Sequence, residues 1–230
     1  MKKLHWAFIM DGNGRWASMR GMSRQKGHTE GVKTAHKVID YCLNKGNIGV
    51  VSLYVFSTEN WLRPPSEVNG LFKLAKEYLT DSDSFKQKGI KVVFSGERTN
   101  LSKELLDLMD SCALKTAQCN NLILNLCINY GGRTEIIRAA KMLKENQFDE
   151  VHFKKQMYQN LPYPDLILRT GGQMRLSNFM LFQAAYAELF FSDTLWPDIS
   201  QTELDGILDA FNHRTRNFGK IRETNENQHV

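Results

Sequence analysis

His5-Trp6-Ala7-Phe8-Ile9-Met10-Asp11-Gly12-Asn13-Gly14-Arg15-Trp16 begins as a six-residue, largely apolar run and breaks abruptly into a carboxylate between turn-forming residues. A short apolar run without polar alternation predicts a strand covered on both faces, as in a parallel sheet between helix layers. Asp11 then falls at the carboxyl end of that strand, where Gly12 and Gly14 predict a tight turn and a close backbone approach to a ligand.

Five further segments read as strands by the same criterion: Val50–Phe56, Ile90–Ser95, Leu122–Asn129, Asp165–Leu168 and Glu188–Phe191. Helices are predicted between and after them, at Gly31–Lys45, Glu67–Lys88, Ser102–Gln118, Thr134–Glu145 and Gln201–Arg214. In Glu67–Lys88, Val68, Leu71, Phe72, Ala75, Tyr78 and Leu79 recur at helical spacing on one face. Ser66 follows the Pro64-Pro65 breaker and offers an N-cap. Such a helix would run to ~30 Å, either as an ordinary core element or as one wall of an elongated apolar pocket. The alternation of strand and helix predicts an α/β fold with an open, mostly parallel six-stranded sheet flanked by helices. Ligands in such folds bind beyond the carboxyl ends of the strands.

The chain has 230 residues, 42% hydrophobic and 24% charged, which is the composition of a globular protein of one sizeable domain. Its four cysteines, Cys42, Cys112, Cys119 and Cys127, show no CxxC spacing and read as reduced thiols of a cytoplasmic protein. The apolar run near the start is too short for a secretory signal or a membrane span. A net charge of +5 favours an anionic partner. Basic residues stand beside glycine turns and not in blocks, which favours a small phosphorylated ligand over nucleic acid.

Three segments carry chemistry. Behind Asp11 come Asn13, Arg15, Trp16, Arg24, Gly27 and His28. A lone carboxylate beside phosphates commonly acts through Mg²⁺, and the basic residues could meet the same phosphates; the alternative is a plain β-turn. Phe56-Ser57-Thr58-Glu59-Asn60-Trp61-Leu62-Arg63 joins polar groups to an aromatic surface just past a strand, or forms a surface turn. Arg169-Thr170-Gly171-Gly172-Gln173-Met174-Arg175-Leu176-Ser177 places two arginines around a glycine turn, with a helix expected to open at about Ser177. Helix N-termini and guanidinium forks both suit a diphosphate. Neither GxxxxGK[ST] nor GxGxxG occurs. Glu188, alone in an apolar stretch, must face water or meet a metal or a basic partner.

Taken in order, HWAFIMDGNGRWA, Gly27-His28, FSTENWLRP, NYGGR (Asn129–Arg133), RTGG with RLSNF, AYAELFF and Trp196-Pro197-Asp198 resemble the cis-prenyltransferase family, which includes undecaprenyl diphosphate synthases. The resemblance implies a Mg²⁺-dependent enzyme that condenses isopentenyl diphosphate with an allylic diphosphate such as farnesyl diphosphate, giving a longer Z-polyprenyl diphosphate. It implies that Asp11 binds the metal and, with Asn60, is catalytic, and that Glu188 helps to hold the metal near a dimer interface. Gly12, Asn13, Gly14, Arg15, Trp16, Arg24 and His28 would surround the allylic diphosphate. Phe56, Ser57, Thr58, Glu59, Trp61 and Arg63 would lie between the substrates, and Arg169, Arg175 and Ser177 would hold isopentenyl diphosphate. A single catalytic domain is expected over 1–218, with a polar tail over 219–230. A homodimer and a peripheral membrane contact are further expectations, and the long 67–88 helix would wall a tunnel for the growing chain. Gln173 stands where the family usually has glutamate. This is the one feature that favours a non-catalytic partner subunit.

Overall fold

The computed structural model describes residues 3–214. The expected tail, and the domain boundary before it, lie outside the described residues. Six strands form one sheet: β1 (Leu4–Ile9), β2 (Ile48–Ser57), β3 (Ile90–Ser95), β4 (Leu122–Tyr130), β5 (Leu166–Arg169) and β6 (Glu188–Phe191). Their spatial order is β3-β4-β2-β1-β5-β6, and every pair is parallel. The chain leaves β1 towards β2 on one side, and β5 and β6 fill the other, so the order reverses beside β1.

Alternation along β1 divides the core. Trp6 and Phe8 face one layer, with Val51, Leu53, Ile39 and Trp196. Ala7 and Ile9 face the other, with Tyr130, Ile167, Phe179 and Met180. Both faces of β1 are therefore dry, which is why it reads as a continuous apolar run.

The helices are α1 (Asn13–Ser18), α2 (Arg24–Lys45), α3 (Pro65–Thr80), α4 (Ser82–Gln87), α5 (Lys103–Lys115), α6 (Gly132–Lys141), α7 (Glu150–Lys155) and α8 (Gln201–His213). Several expectations are corrected. The 67–88 segment is two helices, because the backbone leaves helical geometry at Asp81 (ψ 34°) and turns Phe85 inward. The first of these starts at Pro65, with no cap from Ser66: proline at the first helical position gives up only an N–H that has no partner there anyway. Helix α2 begins seven residues before Gly31, where the Ser23 hydroxyl accepts from the Lys26 N–H at 3.3 Å. Gly27 sits within this helix because α1 crosses it closely; a Cβ there would lie 2.1 Å from the Asn13 carbonyl oxygen. The short helices α1, α4 and α7 carry too little periodicity to be read from sequence.

Candidate active site

Because all strands run the same way, the segments that follow β1, β2, β4 and β5 emerge at one edge of the sheet. Asp11 follows β1 there. Its Oδ1 accepts from Arg15 Nη2 at 3.2 Å, one helical turn on, and its Oδ2 accepts from Arg169 Nη2 at 2.9 Å. Arg169 ends β5 opposite Ile9 and is 5% exposed. Its Nη1 donates to the Ser177 hydroxyl and to the Arg175 carbonyl, each at 2.6 Å, while its Nε–H has no partner. The Thr170 hydroxyl donates to the Asp11 carbonyl at 2.8 Å and fixes the turn. One carboxylate thus stands between a buried and a half-exposed guanidinium.

A second charged cluster borders it. Glu67, on the first turn of α3, accepts from Arg24, His28 and Arg63 at 3.3, 3.2 and 3.0 Å. Burial alone would raise the Glu67 pKa. Hydrogen bonds from Arg24 and His28, with the charge of Arg63, outweigh it and hold the carboxyl below its usual range. Burial pushes His28 below the usual histidine range, and Glu67 only partly offsets this. The Arg24 guanidinium lies against Gly14, which ties this cluster to the turn after Asp11.

The loop after β2 is a 3-10 turn over Thr58–Leu62, closed by reciprocal hydrogen bonds between Ser57 and Asn60. Glu59 accepts from Thr58 at 3.1 Å and from Asn178 at 2.7 Å, which links the loop to the segment after β5. Trp61 packs its ring 5.2 Å from Phe56 and 5.3 Å from Phe72.

These groups stand around a cavity of about 660 Å³. Asp11, Asn13, His28, Ser57, Glu59, Asn60, Arg63, Arg169 and Ser177 line it, together with Arg133 and Asn178. The remaining lining is mostly apolar and comes chiefly from β2, β4, α2 and α3, with Ile9, Met10, Leu181 and Trp196. Along α3 it runs from Leu71 through Leu74, Ala75 and Tyr78 to Leu79, ~12 Å of helix rise. A polar, charged rim therefore opens onto an apolar interior.

Some expected residues stand elsewhere. Trp16 turns away from the cavity: its Nε1 donates to Asp198 at 2.6 Å and Arg20 covers its ring at 4.3 Å. Arg175 is exposed, donates to Gln173 Oε1 at 2.5 Å and serves Arg169 through its carbonyl. No helix opens at Ser177. Ser177, Asn178 and Met180 have positive φ (47°, 67° and 45°), so the chain turns in place, and hydroxyl and guanidinium contacts stand where a helix N-terminus was expected. Glu188 starts β6 opposite Leu166, three residues before Arg169, which is ~10 Å down the sheet from the Asp11 edge. It pairs with Arg214 at 2.6 Å.

Among the described residues no group of three or more His, Cys, Asp or Glu could hold a metal. Asp11 is the carboxylate that Arg169 holds at the sheet edge. That donor set fits Mg²⁺, which takes one or two carboxylates and completes its shell with phosphate oxygens and water. Glu67 and Asn178 were missed by sequence reasoning. Glu67 had a visible signal, since it lies one helical turn after Arg63; Asn178 had one in the RLSNF segment, where it was given no role.

The sequence pattern of the family described as undecaprenyl diphosphate synthase matches residues 9–219. The chain belongs to this prenyltransferase family. An isoprenyl transferase of Leptospira interrogans is 44% identical over 229 residues, covering 94% of this chain and 95% of that protein. A ditrans,polycis-undecaprenyl-diphosphate synthase of Legionella pneumophila, described as specific for (2E,6E)-farnesyl diphosphate, is 42% identical, with 96% and 97% covered. Among solved structures, lavandulyl diphosphate synthase from Lavandula x intermedia, in complex with dimethylallyl diphosphate, superposes with a TM-score of 0.88 at 29% identity. The alignment covers 94% of this chain and 98% of that one. A probable undecaprenyl diphosphate synthase from Campylobacter jejuni gives 0.82 at 36% identity, with 96% and 100% covered. Membership brings the parallel α/β fold and the prenyl-transfer class of reaction together on this chain.

Proposed function

We propose that this family member lengthens an allylic prenyl diphosphate, of which farnesyl diphosphate is the expected primer, by adding isopentenyl diphosphate units to give a Z-polyprenyl diphosphate such as undecaprenyl diphosphate. The observation that carries the reading is the Asp11 carboxylate, flanked by Arg15 and Arg169, at the mouth of a cavity whose interior is apolar. Such a site matches a substrate with a charged head and a hydrocarbon tail. Each added unit buries five carbons, worth roughly 3–4 kcal/mol in an apolar tunnel.

Mg²⁺ would be held by Asp11, and when bound it neutralises charge on the allylic diphosphate. Arg15, Arg24, His28 and Arg63 bind and orient that diphosphate beside the backbone of Gly12, Asn13 and Gly14. Arg169, with Arg175 and Ser177 beside it, holds the diphosphate of the second substrate. Asn60 and the Ser57–Arg63 turn keep the two reacting carbons in line. The allylic C–O bond breaks as the new C–C bond forms; inorganic diphosphate leaves, and the isopentenyl unit loses a proton to give the new double bond. Guanidinium groups placed where charge builds on the leaving diphosphate lower the barrier.

No helix among the described residues is long and apolar enough to cross a membrane. A peripheral membrane contact, a homodimer that brings Glu188 near a second copy's site, a cytoplasmic location and a catalytic domain over 1–218 complete the proposal. Its test is incorporation of labelled isopentenyl diphosphate onto farnesyl diphosphate. Extension that requires Mg²⁺ supports it. The absence of extension with farnesyl, geranyl and dimethylallyl primers, in folded protein that still binds diphosphate, overturns it in favour of a partner subunit.

A further inference from the structure

The Asn129–Arg133 segment stands out in the sequence, yet Asn129 does not line the cavity and has no part in the roles above. We propose that Asn129 is a positioning residue that holds the Trp61 indole, and through it the Ser57–Arg63 turn, at the mouth of the cavity. The inference rests on reading that cavity as the prenyl-transfer site.

Asn129 lies in β4, 3% exposed, and adopts a left-handed conformation with φ 52°. Asparagine is one of the few residues other than glycine that takes this conformation readily. Its amide is fully used. Oδ1 accepts from Trp61 Nε1 at 2.8 Å, and Nδ2 donates to the carbonyls of Glu97 and Thr99, each at 3.0 Å. Its own carbonyl accepts from the Glu97 N–H at 3.0 Å. One side chain thereby joins β4, the loop after β3 and the 3-10 turn after β2.

The chemistry of the amide explains why this residue type stands there. The indole offers only a donor, so it needs an acceptor; the two carbonyls need donors. A carboxylate would face both carbonyls with no proton to give, and an apolar side chain would leave all three part-buried groups without this partner. Trp61 is adjacent to Asn60 and two residues before Arg63, both of which line the cavity. Its ring packs against both Phe56 and Phe72, so a turn of the indole moves the loop that carries Asn60 and Arg63.

Asn129→Gly is the decisive variant, because glycine adopts φ 52° without strain and only the side chain is lost. The expected result is a fall of about tenfold in kcat/KM for condensation, the scale of a misplaced positioning group. Acrylamide quenching of tryptophan fluorescence should rise in the ligand-free protein, and this rise should vanish when both proteins also carry Trp61→Phe. The double variant should lose little more activity than the worse single one, because both substitutions break the same tie. Asn129→Asp keeps the indole's acceptor and should return quenching towards the native level. Trp61→Phe, which breaks the tie with Asn129 intact, decides the matter from the donor side if Asn129→Gly does not fold; native activity in it would overturn the proposal. Multiplicative losses in the double variant, or native quenching in Asn129→Gly, would also overturn it. Should the native protein extend no primer, the assigned reaction falls, while the quenching comparison still judges the Asn129–Trp61 tie.

Discussion

Arg169 Nη2 lies 2.9 Å from Asp11 Oδ2, across the β1–β5 pairing that sets Ile9 opposite Arg169. The two residues are 158 positions apart in sequence, so strand register, with the turn that Thr170 fixes after Ile9, brings them together. Asp11→Ala removes the carboxylate and leaves a buried guanidinium without its counter-charge. Extension of the primer should fall by about 10²-fold or more, the scale set by loss of one preorganised charged contact. Stability should fall by about 1–3 kcal/mol, below the cost for a fully buried pair because Asp11 is partly exposed. Steady-state incorporation and urea unfolding read the two effects separately.

Glu67 serves as a common anion for Arg24, His28 and Arg63 in the ligand-free protein. Glu67→Gln leaves the two guanidinium groups facing each other without it. Unfolding free energy should drop by roughly 1–2 kcal/mol, since the cluster is only partly shielded from solvent. Inorganic diphosphate should then raise the melting temperature more in the variant than in the native protein, because the ligand supplies the missing charge. An equal or smaller rise would show that diphosphate does not meet this cluster.

His5 is buried at the start of the sheet, where burial pushes its pKa down to about 4 against weaker raising effects from the Pro162 carbonyl and Asp165. Pro162 can only accept, so Nδ1 carries the proton and Nε2 accepts from the Ser52 hydroxyl, a pairing that satisfies the neutral ring. Below about pH 6.5 the unfolded chain takes up a proton that the folded chain refuses until about pH 4. Stability therefore rises with pH across that window, by roughly 3 kcal/mol in all, and is lost as pH falls. Urea unfolding between pH 4 and 7 should show a shallower slope in His5→Gln than in the native protein.

The sheet was legible because its strands are short, mostly apolar runs, and β3 and β6 could be read to the residue. The position of Asp11, Arg169 and the Ser57–Arg63 turn at the sheet edge was legible because each ends or follows such a strand. What the sequence hides is geometry without periodicity. The turn at Ser177 depends on three residues with positive φ, none of them glycine. The bend at Asp81 breaks a seemingly continuous apolar face. The separation of Glu188 from Asp11 follows from parallel register, which local pattern does not encode.

Tyr78 bears on product length. It lines the cavity from α3, with its ring 4.6 Å from His36 and 5.2 Å from Phe85, and its buried hydroxyl has no hydrogen-bond partner. A hydroxyl in that position costs desolvation and returns nothing, so Tyr78→Phe should be neutral or stabilising by up to ~1 kcal/mol in urea unfolding. Tyr78→Ala removes the ring and should cost about 3–5 kcal/mol of stability if the space stays empty. In that variant a growing apolar chain gains room beside α3. Products resolved by chain length should then extend by at least one five-carbon unit relative to both the native protein and Tyr78→Phe. A native product distribution in Tyr78→Ala would mean that the chain is measured by another part of the cavity wall.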